Sequence, residues 1–311
     1  MYAIFIETLP FFAIIGLGYL SGRSGFFSEE ATDCLTRFVF YFALSAMIFR
    51  FSSNLSIEDI LQWNFVAAYL CASISVYALA LIVARLRGIR IEEAVIEAQC
   101  SVVGNVGFLG IPMLSLLMGE AAVGYIMIVL AMDLLVFGTL AVSVIIARRD
   151  GRMSLSLGRV LLAGLLRNPM IMSLTIGLLW STWNLSIPGP VDEFMTLLGA
   201  AATPGALFAI GASLASKSTE RIEVAGWLSF CKLILHPAAV AFFALAVFPV
   251  EIFSAAVMIA LASLPVAGNI YIIAQHYKVA PQRVSASILL STVFGIVSVS
   301  LIIAQAETLY R

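Results

Sequence analysis

Two asparagines stand where an otherwise apolar chain offers few groups able to do chemistry. Asn105 lies in Gly104-Asn105-Val106-Gly107-Phe108-Leu109-Gly110-Ile111-Pro112, and Asn269 closes Leu264-Pro265-Val266-Ala267-Gly268-Asn269. Proline removes a backbone donor and clashes with the preceding turn, so each stretch should kink or unwind the helix that contains it. Inside a bilayer the freed amides and carbonyls are tolerable only where the backbone faces protein or a water-filled cavity. Two interrupted apolar segments at corresponding positions of two half-chains point to a carrier's binding site. Half-helix N-termini at such breaks present amides with partial positive charge. An asparagine beside them can donate to a carboxylate without adding a buried charge. The chemistry this pattern suits is binding of a small anion.

Three ionisable residues fall well inside apolar runs: Asp133, Lys232 and His236. An ionisable group at membrane depth costs several kcal/mol unless paired or hydrated, which makes each a functional candidate. Asp133 is either a carrier of a coupling proton or a structural group bonded to a neighbouring helix. Lys232 neutralises an anionic substrate, pairs with Asp133, or snorkels to the cytoplasmic face. His236, four residues on and on the same helical face, relays protons or caps a kink at Pro237. Arg167 reads as an interfacial anchor, and Glu7 and Glu97 as hydrated residues near span ends.

The elements that must position these residues are membrane helices. The 311 residues are 62% apolar and only 11% charged, with a mean hydropathy of +1.06. A soluble domain carries about a quarter charged residues. Apolar runs of about 18–25 residues, long enough to cross roughly 30 Å of hydrocarbon, lie at about 3–20, 34–51, 64–84, 94–118, 121–147, 159–181, 194–215, 225–247, 251–275 and 284–305. The runs are continuous rather than alternating, which selects helices over barrel strands. The fourth and fifth are parted only by Gly119 and Glu120. Helical rise then sets Asn105 and Pro265 about 15–20 Å deep. Gly104, Gly107 and Gly110, three apart, predict a bare stripe for close backbone approach.

Orientation follows from Lys and Arg. Gaps after odd-numbered spans, with the adjoining helix ends, hold thirteen, among them Arg23, Arg85, Arg148, Lys217 and Arg283; the opposite side holds Arg50 and Arg311. The positive-inside rule places the basic gaps in the cytoplasm and both termini outside. Five spans per half make the halves inverted. Pro10 and Gly18 are matched by Pro169 and Gly177, eight apart in each case, and Pro10 to Ser45 spans 35 residues, as does Pro169 to Pro204. The expected fold is therefore an all-α integral membrane protein of ten transmembrane helices. It comprises two inverted five-helix repeats, 1–150 and 151–311, with broken, crossing helices 4 and 9. The cysteines Cys34, Cys71, Cys100 and Cys231 lie singly, with no metal or disulfide spacing. No basic residue precedes the first apolar run, so that run is expected to be retained as a helix.

Over the whole chain these motifs resemble the auxin efflux carrier family, secondary carriers that include plant PIN proteins and bacterial malate or malonate permeases. The resemblance rests on Gly16-Leu17-Gly18-Tyr19-Leu20, the Asn105-to-Pro112 segment, Arg167-Asn168-Pro169, Thr203-Pro204-Gly205-Ala206-Leu207-Phe208, Lys232 to Pro237, Leu264-Pro265 with Asn269, and Ser291-Thr292. It implies a scaffold of helices 1, 2, 6 and 7 and a transport unit of helices 3–5 and 8–10. It also implies that helices 4 and 9 cross at their prolines, with Asn105, Pro112 and Pro265 as crossover residues and carboxylates as substrates. Ser45 stands where the family often has proline. The eleven or so residues after span 5 replace the long loop of plant members, which suggests a prokaryotic minimal form.

The substrate-binding residues expected are thus Gly104, Asn105, Gly107, Pro112, Pro265, Gly268 and Asn269, with Asp133, Lys232 and His236 as coupling or charge candidates. The partners are a small organic anion, a proton or a sodium ion, the lipid of the cell's inner (plasma) membrane and, as an open option, a second copy of the chain. No cofactor, metal or nucleic acid is expected. A sodium-coupled carrier resembling bile-acid symporters is the near alternative; it would want an acid beside the asparagines. A channel is a further reading. An intramembrane enzyme would want His-Glu-x-x-His or Gly-x-Ser-x-Gly, and an ATP-driven pump a P-loop; the chain has none of these.

Overall fold

The computed structural model describes residues 2–55, 62–150, 166, 168–216 and 222–310, without the side chains of 2–8, 149–150, 307 and 310. Arg167, Arg152, Arg159, Lys217 and Arg221 and the side chain of Glu7 lie outside the described residues, and with them the expectation of an interfacial anchor at Arg167. Within the described residues the chain is all helix apart from one isolated backbone bridge.

The helices are α1 (Tyr2–Arg23), α2 (Glu29–Ser52), α3 (Trp63–Leu86), α4 (Ile91–Cys100), α5 (Val106–Leu117), α6 (Ala121–Arg148), α7 (Pro169–Thr182), α8 (Gly189–Leu214), α9 (Ile222–Val247), α10 (Ile252–Ala262), α11 (Gly268–His276) and α12 (Pro281–Tyr310). Six of them, α2, α3, α6, α8, α9 and α12, are long and apolar enough to cross a membrane, and α5, α7, α10 and most of α1 are shorter apolar helices. Gly119 adopts φ +83°, a left-handed turn open to glycine. That turn is what separates α5 from α6 in an otherwise unbroken apolar stretch.

The helices pack in two groups. In one, α1 lies along the second half of α8 and α7 along α2, with α8 also against α2. In the other, α3, α4, α6, α9, α10, α11 and α12 pack on one another around the two breaks. Where α1 meets α8, a methyl group added at Gly18 would fall on the Phe208 carbonyl and one at Gly211 on that of Ile15. Where α7 meets α2, Gly177 lies against Ser52 and the Phe49 carbonyl. These pairs approach backbone to backbone, as small residues allow in membrane helices.

An ion cluster ties the ends of the second group. Glu97 on α4 is 1% exposed and pairs with Arg87 just past α3 and with Arg283 Nη1 on α12 at 2.7 Å. Glu93 also takes Arg283, at 3.0 Å. Glu97 is therefore buried and paired, not hydrated as expected from its nearness to a span end. The half-helix α4 packs against α3 and α12, whose arginines replace water around the carboxylate. Arg283→Ala leaves Glu97 to Arg87 and Glu93 to Arg90, so what is lost is the charged hydrogen bonds of Arg283, at about 1.5–3 kcal/mol, read as a lower melting temperature in detergent; an unchanged melting temperature would make the cluster decorative.

Candidate functional site

Both proline- and glycine-bearing segments lose helical continuity. The first runs irregularly from Ser101 to Asn105 and re-enters as a wide π-turn, Val106–Gly110. The second is open from Ser263 to Ala267. The two meet as a short antiparallel contact: Gly104 bridges Val266, the Asn105 amide donates to the Pro265 carbonyl at 2.8 Å, and the Ala267 amide donates to that of Val103 at 3.2 Å. Ser291 Oγ on α12 accepts from the Val266 amide at 3.0 Å. The groups freed by each break are thus satisfied largely by the other, as buried backbone requires.

The crossing falls at Pro265 on one strand but at Gly104 and Asn105 on the other, so Pro112 is not at the crossing. Pro112 instead follows the π-turn and opens the regular part of α5. A proline ring collides with the carbonyl four residues back, and here the turn widens so that the Ile111 amide reaches Val106. The same device recurs before Pro237, where the His236 amide reaches Cys231. The predicted glycine stripe is also not a stripe, because residues 104–110 do not form one regular helix. Gly104 faces Lys232 and the Leu261 carbonyl, Gly107 faces Met170 of α7, and Gly110 faces Leu261 and Leu264.

The two half-helices that begin at the crossing differ. Asn105 caps its own, its Oδ1 accepting from the Phe108 amide at 3.3 Å, which leaves Nδ2 as its donor. The N-terminus of α11, opened by Ala267, has no side-chain cap. Gly268 there is exposed and Asn269 half-buried, with an enclosed Oδ1 that has no partner. On the side toward the first helix group, the Phe108 ring stacks on Phe40 of α2 at 6.1 Å.

Asp133, Lys232 and His236 come from α6 and α9, yet the structure gathers them beside the crossing. Each is 3% exposed or less. Asp133 Oδ1 accepts from the Tyr69 hydroxyl at 2.7 Å, while Oδ2 has no partner. Lys232 Nζ donates to the carbonyl of Ala262, the last residue of α10, and lies 3.2 Å from His236 Nδ1. Taken as an ammonium, Lys232 has donors only, which assigns Nδ1 as acceptor and directs the Nε2 proton toward Ser73 Oγ at 2.9 Å. Lys232 does not snorkel; the π-turn Cys231–Leu235 that holds it turns its stem inward. Tyr69 and Ser73, one helical turn apart on α3, are partners that residue-by-residue reading passed over. Their only signal was a polar pair at i, i+4 on an apolar span. Gln99, 1% exposed at the end of α4, was likewise missed and has neither amide atom partnered. A separate cavity of about 330 Å³, lined by Arg85, Ile91, Val144, Ala147 and Arg148, sits at the ends of α3, α4 and α6 rather than at the crossing.

Apolar helices of membrane-spanning length, packed with two shorter interrupted segments that satisfy each other's backbone and have buried ionisable groups beside them, are the pattern of an integral membrane transporter. The profile of a family described as membrane transport protein matches residues 3–303. A protein of Rhizobium meliloti (strain 1021) named "Putative malonate transporter" is 30% identical over 303 residues, 94% of this chain and 92% of the relative. One of Escherichia coli (strain K12) named "Uncharacterized transporter YfdV" is 24% identical over 305 residues, 95% of each chain. The chain belongs to this membrane transport family, the auxin efflux carriers.

Proposed function

We propose that the chain is a secondary carrier, active or facilitative, for small organic carboxylates of the malonate and malate kind, working by alternating access around the crossing of α4–α5 with α10–α11. The observation that carries this reading is the paired break itself, held by the Asn105 amide on the Pro265 carbonyl and the Gly104–Val266 bridge. The uncapped start of α11, the free Asn105 Nδ2 and the Asn269 amide together suit a carboxylate. In this reading Gly268, with open space where a side chain would stand, leaves room for it, Gly104 and Gly107 let Lys232 and Met170 pack close to the crossing, and Pro112 and Pro265 hold the breaks open.

The same reading takes the chain as ten spans in two inverted repeats, 1–150 and 151–311, in the plasma membrane with both termini outside. Support comes from the packing: exchanging the halves turns the α1–α8 pair into the α7–α2 pair and the α2–α8 pair into itself, and these three are the principal contacts of the first group. Gly18 and Gly177, matched in sequence, both sit at those close approaches. That group would serve as scaffold and the other as the moving unit. Purified protein in vesicles preloaded with malonate is expected to accumulate labelled malonate by saturable counterflow and to return it unaltered. Non-saturable flux would indicate a channel, and chemical change of the substrate an enzyme.

A further inference from the structure

We infer that the Lys232 ammonium is a tethered cation that stands where a broken-helix carrier would otherwise hold a coupling sodium ion, so that this carrier works without sodium. The inference rests on the carrier reading above and specifies its ion.

A helix C-terminus carries partial negative charge and unsatisfied carbonyls. In carriers with broken helices, such ends and the unwound carbonyls beside them are what coordinate a coupling cation. Here α10 ends at Ala262, and its terminal carbonyl accepts from Lys232 Nζ. The same ammonium lies against Gly104 on the opposing broken segment; a methyl group built there would come within 3.3 Å of Nζ. One side chain thus reaches both segments of the crossing. The remaining groups around it are suited to a cation. His236 Nδ1 offers a lone pair at 3.2 Å, the proton of that ring being directed to Ser73. Asp133, with Oδ1 held by Tyr69 and Oδ2 unpartnered, is a buried carboxyl of the same cluster. The stem enters from α9 with no exposed surface, so the positive charge is fixed to the protein and cannot be exchanged with either side of the membrane.

The test uses wild type, Lys232→Ala and Lys232→Met, purified whole, in thermal unfolding and in vesicle uptake of labelled malonate. Wild type is expected to melt at one temperature and take up substrate at one rate whether the salt is sodium or choline chloride. Lys232→Ala opens a cation-sized space, so its melting temperature should rise saturably with sodium or methylammonium. Its uptake should fall roughly tenfold or more, as when one partner of a buried charged hydrogen bond is truncated, and recover in part with either ion. Lys232→Met fills the space and should gain nothing from either. Sodium-stimulated uptake or sodium-specific stabilisation of the wild type overturns the inference, whether or not the variants fold. So does a Lys232→Ala protein that transports normally or is indifferent to both ions. If wild type moves no carboxylate at all, the carrier reading fails, while the melting experiment still decides whether Lys232 fills a cation site.

Discussion

Replacing Asn105 by alanine is expected to cut malonate uptake roughly 10- to 100-fold while leaving a folded protein that inserts and purifies normally. The backbone half of the site survives the change, because the Asn105 amide still donates to the Pro265 carbonyl. What disappears is the side chain. Its Oδ1 caps the Phe108 amide at 3.3 Å, and losing such a cap costs about 1 kcal/mol, too little to unfold the chain. Its Nδ2 is the donor left over for substrate, and a lost hydrogen bond to a charged ligand lowers uptake by roughly 10- to 100-fold. Asn105→Asp separates the two roles: it keeps the capping oxygen, removes the donor and sets a negative charge against an anion. Initial rates of uptake and melting temperatures should therefore diverge, with Asn105→Asp stable but inactive. Retained uptake in Asn105→Asp would take the side chain out of substrate binding.

Gly211→Leu should have the largest effect on folding of any single change along the α1–α8 seam. A side chain at Gly211 falls on the carbonyl of Ile15 and the amide of Tyr19, which are backbone atoms and cannot swing aside. Overpacking costs 1–3 kcal/mol where side chains can adjust; here two helices must separate, and about 3 kcal/mol is the floor. Gly16→Leu is the matched control, because nothing lies within 4 Å of its added methyl. Size-exclusion chromatography in detergent should show Gly16→Leu monodisperse and Gly211→Leu aggregated or absent. Equal behaviour of the two would mean that α1 and α8 are not in backbone contact.

The breaks were legible because proline and glycine act locally. Pro265, Gly104 and Asn105 each announce an interruption within a few residues of where it occurs. What was not legible depends on tertiary distance. Asp133 and Lys232 lie about a hundred residues apart, and no spacing rule says that Tyr69 and Ala262 will meet them. Snorkelling was one reading of Lys232, yet the π-turn that aims it inward arises from Pro237 five residues later, a consequence visible only once the turn is built. Glu97 was misjudged on the same premise, that distance along a span measures access to water. The identical reasoning made a stripe of Gly104, Gly107 and Gly110, which the irregular turns at 101–110 scatter to three neighbours.

The ion cluster around Glu97 and the backbone crossing bear on how motion can be shared out. One stitches α4 to the ends of α3 and α12; the other laces the two interrupted segments amide to carbonyl. With both in place, shear inside that half of the molecule would break buried ionic and main-chain bonds together. Displacement is cheapest instead along the greasy contact between Phe108 and Phe40 and between Gly107 and Met170, where one face glides over another and only dispersion is traded. On the carrier reading proposed above, the cradle for the cargo would ride as a single piston, its geometry unchanged from one side of the membrane to the other.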